Sequence, residues 1–171
     1  TVIMGIYNCE NTLIESLESL FTQTYTDWDL VMCDDGSSDA TIKIAEQYAT
    51  AHPQKITLLK NESNMGLNYT LNRCLSIADG EYIARQDGDD ISMPTRFEKE
   101  VAILDASPDI AIVSTAMKYF DENGTWGQNH RVEFPQDNDF ILGTPFCHAP
   151  CMVRKTAYQS VNGYTENSKY L

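Results

Sequence analysis

The segment Asp87-Gly88-Asp89-Asp90 sets three carboxylates around one glycine, directly after the apolar run Tyr82-Ile83-Ala84-Arg85-Gln86. A second acidic pair, Asp34-Asp35, ends the run Trp28-Asp29-Leu30-Val31-Met32-Cys33. Crowded carboxylates repel one another, and a fold tolerates them best where a cation or a hydrogen-bonding ligand compensates. Asp-x-Asp at the end of a strand presents two hard oxygen ligands about one loop residue apart. That arrangement suits Mg2+ or Mn2+ bridging to phosphate oxygens.

Other chemistries fit these residues less well. A solvated acidic loop is the bland account of Asp87 to Asp90, but it ignores the position beside a second acidic strand end. An EF-hand would use Glu98, twelfth from Asp87, as its last ligand. It fails because Ile91 takes a ligand position, Ser92 replaces the glycine and Pro94 interrupts the loop. An aspartyl phosphatase would carry Asp-x-Asp after its first strand, and a receiver-type signalling domain would need a separate phosphoacceptor strand. Gly36-Ser37-Ser38-Asp39 reads as a turn into a helix cap, yet the acidic pair before it exceeds what capping requires. One of those carboxylates could accept a hydrogen bond from the N3–H of a uracil ring, with Tyr7 offering a flat stacking surface. Packing is the plainer reading of Tyr7 alone.

The elements that must position these residues alternate. Thr1 to Tyr7 is a short apolar run of the kind that forms a buried parallel strand. Leu13, Ile14, Leu17, Leu20 and Phe21 recur at helical spacing, with Thr12 and Glu15 placed as a capping box. Trp28 to Cys33 is a second strand. Ser38 then caps a helix burying Ile44, Ala45, Tyr48 and Ala49. Ile56 to Leu59 is a third strand, and a helical stripe from Leu67 to Ala78 ends with Gly80 at C′. Tyr82 to Gln86 is the fourth strand, and Ser92 and Pro94 open a helix turning Phe97, Val101 and Leu104 inward. This βαβαβαβα order predicts an α/β fold, a mostly parallel sheet with helices on both faces. Ligands of such sheets bind beyond the carboxyl ends of the strands, where Tyr7-Asn8, Asp34-Asp35 and Asp87 to Asp90 all fall.

From Ile110 the pattern changes. Ile110 to Phe120 reads as one long strand, Asp121 to Gly124 as a turn, and Gly127 to Pro135 as a polar loop. Asp137 to Leu142 reads as a short helix, Cys151 to Arg154 as a strand, and Thr156 to Val161 as a helix. A soft boundary near residue 115 separates a nucleotide half, 1–115, from an acceptor half, 116–171, within one compact domain.

Composition narrows the partners. With 12 basic and 25 acidic residues among 171, the formal net charge is −13. Such a surface repels nucleic acid and anionic lipid, whereas a divalent cation can reverse the field locally for a nucleotide. No apolar run approaches the roughly 20 residues of a membrane span. Opening at Thr1, inside a core strand, reads as a trimmed terminus. The five cysteines form no paired framework; Cys33 and Cys74 read as buried thiols. Cys147 and Cys151 flank His148 without a second pair to complete a zinc set.

Four ordered motifs carry a resemblance. Val2-Ile3-Met4-Gly5-Ile6-Tyr7-Asn8, Asp34 to Asp39, Asn64-Met65-Gly66-Leu67 and Gly80 to Ile91 look like glycosyltransferase family 2. The likeness continues through Pro94, Arg96, His148, Met152 to Lys155 and Asn162-Gly163-Tyr164, and so covers essentially the whole chain. The resemblance implies a GT-A fold and inverting transfer of a sugar from a nucleotide-diphosphate donor, UDP above all, with Mn2+ or Mg2+. It implies a glycan or lipid-linked acceptor, a role in cell-surface polysaccharide biosynthesis, and a cytoplasmic site, peripheral to the inner membrane face in the full-length protein. Carried over by residue, Tyr7 with Asn8 would face the base and Asp35, beside Asp34, would bind uracil. Asp87 with Gly88 would lie near ribose and metal, Asp89 would be the metal ligand, and Asp90 would orient the site. His148 would belong to the acceptor-side floor, a satisfied loop histidine being the alternative. Arg73, Arg85 and Arg96 could neutralise diphosphate, though structural roles suit each better.

This chain departs from the family pattern in three places. Gly5-Ile6 stands where Pro-Thr is common, and Asn162-Gly163 where Gly-Gly is common. In the family, an acidic Glu-Asp segment soon after the Gly-Gly-Tyr-Asp stretch supplies the catalytic base. Here Asn162-Gly163-Tyr164-Thr165-Glu166 is followed by no such pair, so the base is expected beyond Leu171. Glu166 and His148 are the weaker candidates within the chain. The alternative function is a non-catalytic sugar-nucleotide-binding module.

Overall fold

In the computed structural model, which describes residues 1–129, 132–141 and 143–166, the first four strands and their helices alternate as the periodicity predicts. They are β1 (Val2–Ile6), α1 (Leu13–Phe21), β2 (Leu30–Asp34), α2 (Thr41–Ala51), β3 (Ile56–Lys60), α3 (Leu67–Ile77), β4 (Tyr82–Arg85) and α4 (Arg96–Ala106). Then come β5 (Ile112–Ser114), β6 (Lys118–Asp121), β7 (Gly124–Gln128), a short 3-10 turn at Asp137–Phe140, β8 (Cys151–Arg154) and α5 (Lys155–Ser160). The main sheet has six strands in the order β3-β2-β1-β4-β8-β5. β1 to β4 are parallel, while β8 runs antiparallel to both neighbours.

Alternation along the strands divides the core into two layers. Val2, Met4 and Ile6 of β1 and Leu30 and Met32 of β2 face Leu13, Leu17 and Leu20 of α1, Ala45 of α2, and Phe97 and Leu104 of α4. Ile3, Val31, Cys33 and Ile83 face Leu71, Cys74 and Ala78, on the α3 side. Each fully buried aliphatic side chain contributes about 1.5–3 kcal/mol through removal from water. α3 lies so close to β1 that a Cβ on Gly5 would stand 3.0 Å from Leu67 Cδ1.

Several expected details differ. Thr12 and Glu15 form no capping box; Thr12 Oγ1 instead donates to Cys9 O and Gly88 O. Ser38 does not cap α2. The Asp39 carboxylate accepts from Thr41 N and Glu10 N, and the Glu10 carboxylate accepts from Ala40 N. Two carboxylates at that end suit the positive pole of the helix better than a hydroxyl would. Gly80 is not a C′ residue in the left-handed region. It is required because a Cβ there would fall 2.3 Å from Thr1 N. The long strand from Ile110 to Phe120 is broken after Ser114: β5 stays in the main sheet, whereas β6 pairs with β7 in a separate hairpin. Gly127, expected in a loop, lies in β7, and the turn at Asp121 to Gly124 is the hairpin's own, closed by Asn123 N donating to Asp121 Oδ1. The end of the expected helix at Leu142 lies outside the described residues. Because β8 sits between β4 and β5, the main sheet runs across residue 115.

Candidate active site

Connections from β1 lead to β2 on one side, and β4 lies on its other side, so the topological switch point falls between β1 and β4. An open α/β sheet has a crevice there, outside the carboxyl ends of those strands. Tyr7, Asn8 and Cys9, after β1, and Asp87, Gly88 and Asp89, after β4, line a cleft of about 380 Å3. Leu67 of α3 and Gly5 of β1 complete one wall, Asn11 and Thr12 another. The volume lies in the range of small-molecule sites, roughly 300–1,000 Å3. Of the residues singled out by sequence, Tyr7, Asn8, Asp87, Gly88 and Asp89 are brought together here. Asp34 and Asp35 stand outside the lining.

The acidic loop is held rigidly from beneath. Ser16 Oγ, on α1, donates to Asp87 O at 2.8 Å, and Thr12 Oγ1 donates to Gly88 O at 3.0 Å. Gln86 Nε2 donates to Asp90 O at 2.7 Å. Gln86 Oε1 accepts from Ser92 Oγ and from Arg96 Nη1, and Arg96 Nη2 donates to Arg85 O. Arg96 is thus not a phosphate ligand; it is buried against Glu100, with Nε 3.2 Å from the carboxylate. Burial pushes Glu100 up to about 7, against the pull of Arg96. Gly88 packs closely enough that a Cβ would meet Cys9 Sγ at 2.9 Å.

The three loop carboxylates differ in surroundings. Arg85 Nη2 donates to both Asp87 oxygens, at 2.9 and 3.0 Å. Burial still raises Asp87 above the usual carboxylate range, with Arg85 opposing. Asp90 rises to about 6, through burial and then through the charges of Asp87 and Asp89. Asp89 is exposed. Arg85 Nη1 meets His148 Nδ1, so that nitrogen accepts and the imidazole is neutral. Burial and the Arg85 charge lower His148 to about 4. His148 also stands edge-on to Tyr164, at 5.6 Å between centroids. Glu166 lies elsewhere, accepting from Asn72 Nδ2 of α3 at 2.9 Å.

The Asp34-Asp35 pair is divided by the strand's alternation. Asp35, on the α3 side, accepts from Asn61 Nδ2, Met65 N and Gly66 N, and so fastens the turn that begins α3. Asp34 Oδ2 accepts from Ser37 N, while buried Asp34 Oδ1 has no partner among the described residues. Asn8, in the left-handed region at φ 47°, ties the β1 end to this loop: Oδ1 accepts from Ser38 N and its own N–H donates to Ser37 Oγ. Arg73 donates to Lys60 O and Asn61 Oδ1, a structural role. Sequence reasoning missed Ser16, Gln86 and Leu67 as site-building residues. Leu67 and Gln86 had a signal, each standing within a recognised motif; Ser16 had none beyond its place in an apolar helix.

An acidic loop at the switch point of a mostly parallel sheet defines an α/β protein with its cleft where such sheets bind ligands. The sequence profile "Glycosyl transferase family 2" matches residues 1–161, and the chain belongs to that family. It is 49% identical over 164 residues to EpsE of Bacillus subtilis (strain 168), an alignment spanning 96% of this chain and 59% of that relative. Among solved structures, the mannosyltransferase PcManGT from Pyrobaculum calidifontis, in complex with GDP-Man and Mn2+, superposes with TM-score 0.74 at 22% identity. That match covers 97% of this chain and 47% of the other. S. aureus TarS 1-349 in complex with UDP superposes with TM-score 0.72 at 21% identity, over 99% of this chain and 51% of that one. The architecture is that of GT-A glycosyltransferases. Among the described residues, no helix is long and apolar enough to cross a membrane.

Proposed function

We propose that this chain forms the donor-binding part of a transferase that moves a sugar, with inversion, from UDP to a hydroxyl of a growing surface polysaccharide. The observation that carries the reading is the convergence of Tyr7 and Asn8 with Asp87 and Asp89 in one cleft at the β1/β4 switch point. Half-exposed Tyr7 offers its ring to the base across from Leu67. Asp35 accepts three hydrogen bonds from the protein. A carboxylate has about four lone-pair sites, so one remains for a uracil N3–H. Buried Asp34 Oδ1, without a partner among the described residues, is the neighbouring acceptor.

The donor set fits a hard divalent cation. Asp87 and Asp89 offer carboxylate oxygens, and Asp90 rises to about 6 through burial and then through the charges of Asp87 and Asp89, which Arg85 and Arg96 offset only in part. Among the described residues no three Asp, Glu, His or Cys side chains converge into a closed metal site. Two carboxylates with room for phosphate and water oxygens is the arrangement Mg2+ and Mn2+ favour in nucleotide sites. Asp89, without a protein partner among the described residues, would hold the ion, with Asp87 beside it; the ion would neutralise charge on the departing diphosphate. Arg85 and the buried Gln86, Ser92 and Arg96 network fix the loop, so that it need not reorganise as the donor binds.

Calorimetry with UDP tests the reading. Binding is expected with Mn2+ and lost with chelator or in Asp89→Asn, because the diphosphate and the loop carboxylates repel each other unaided. Equal affinity with and without metal would overturn the metal bridge, and no binding to any nucleotide diphosphate would overturn the donor site.

A further inference from the structure

The β6–β7 hairpin stands off the main sheet with its aromatic side chains in solvent. Trp126 is 67% exposed and Phe120 is 52% exposed. Trp126 stacks on Tyr119 with centroids 5.1 Å apart and planes 20° from parallel. A two-stranded hairpin is marginally stable in water, and large aromatics exposed on one have no part in the core. Between this hairpin and the acidic loop runs a groove of about 250 Å3, lined on one side by Tyr119, Phe120 and Trp126 and on the other by Glu15, Asp89 and Asp90.

We propose that this groove is a carbohydrate subsite, in which Trp126 and Tyr119 pack against a pyranose ring of the acceptor. The proposal deepens the transferase reading above and rests on it. The lining of the groove and its position select the occupant. The groove pairs aromatic faces with carboxylates, and a pyranose has the matching halves: an apolar C–H face for the electron-rich ring face and a rim of hydroxyl donors for Glu15 and Asp90. An acyl chain or an apolar protein surface would cover those carboxylates without pairing them, and burying an unpaired charge is strongly unfavourable. An anionic headgroup would meet Asp89, Asp90 and Glu15, with Lys118 the one cation among the lining residues described. The groove is also continuous with the nucleotide cleft, for Asp89 and Thr12 line both. A sugar seated here has its hydroxyls beside the place where a donor diphosphate would be held.

Tryptophan fluorescence tests the proposal, because the chain has two tryptophans. Trp28 lies before β2, at the opposite end of the sheet, packed edge-on against Phe21 with Lys55 over its ring. In Trp28→Phe the remaining signal reports Trp126 alone. Short neutral oligosaccharides of glucose, galactose and N-acetylglucosamine are titrated with and without UDP and Mn2+, and circular dichroism checks the fold of every variant. A saturable change at Trp126 is expected with at least one of them. Affinity, read by ligand-observed NMR, should fall about 3- to 10-fold in Trp126→Ala and Tyr119→Ala, the worth of one aromatic contact, and be largely kept in Tyr119→Phe. UDP binding should be unchanged in each. Donor binding without any saccharide response overturns the subsite and leaves the transferase reading standing. Saccharide binding with no affinity for a nucleotide diphosphate supports the subsite and overturns the transferase reading. A Trp126 response to phosphatidylglycerol vesicles but not to saccharides overturns the subsite in favour of a lipid surface.

Discussion

Arg85 and Asp87, two residues apart across the end of β4, are joined by a fork: Nη2 reaches both carboxylate oxygens, and Nε adds a contact at 3.1 Å. The same guanidinium meets His148, which arrives from the far side of residue 115. Of the loop carboxylates, Asp87 is therefore matched in charge by Arg85, while Asp89 is exposed and has no partner among the described residues.

Removing that fork should cost stability as well as binding. Arg85→Met leaves a half-buried carboxylate without its donor, a loss of about 1–3 kcal/mol. Urea denaturation measures it directly. A change below about 0.5 kcal/mol, the level of an exposed pair, would show that the fork contributes nothing to the fold.

Asp35→Asn is expected to act on folding and on the base together. Three donors converge on this carboxylate, two of them the backbone N–H groups of Met65 and Gly66. An amide presents one acceptor oxygen where the carboxylate presents two, so one donor is left unpaired, at about 1–3 kcal/mol. Uracil should also lose its advantage over other bases. A variant with unchanged melting and unchanged preference for UDP over CDP would remove Asp35 from both roles.

Gly88→Ala tests the close approach of the acidic loop to β1. The added methyl would meet Cys9 Sγ at 2.9 Å and Ile6 Cγ2 at 3.2 Å. Overpacking of this kind costs about 1–3 kcal/mol, and here the shift would be passed to Asp87 and Asp89. Adding Cys9→Ala should restore part of the loss, which a double-mutant cycle detects. Additive effects would place the strain elsewhere.

His148 sets a pH expectation. Its folded value is about 4 against an ordinary 6.5. Between those values the unfolded chain takes up a proton that the folded chain refuses. The stability it contributes is complete above about 6.5 and is lost as pH falls through 4. Because the ring is partly exposed, the effect is modest. In His148→Gln, urea midpoints should decline less steeply across this window than in the parent protein; parallel declines would contradict the assignment.

The sheet and the cleft were legible because both rest on local signals. Continuous apolar runs identify β1 to β4, helical stripes identify α1 to α4, and the acidic clusters stand at strand ends where parallel sheets bind ligands. What escaped was non-local. Nothing near Asp35 announces that it fastens residues some thirty positions later. Nothing near Ser16 says that its hydroxyl will reach Asp87 O. Ile110 to Phe120 reads as one strand because apolar content continues through it. The break after Ser114 divides residues that pair with β8 from residues that pair with β7, a tertiary outcome without a local mark.

β8 also determines how the chain reaches this fold. Among the described residues Ile112 to Ser114 pair with Cys151 to Val153 alone, and Tyr82 to Ala84 pair with Met152 to Arg154. Until Cys151 to Arg154 have docked, β5 has no strand neighbour among the described residues and β4 shows a bare row of amide and carbonyl groups. Loop-closure entropy must be met first for contacts so distant along the chain, so this step should be late and slow. A chain cut after residue 115 would keep the cleft between β1 and β4 but expose that row as a sticky edge, inviting self-association instead of yielding a smaller working unit.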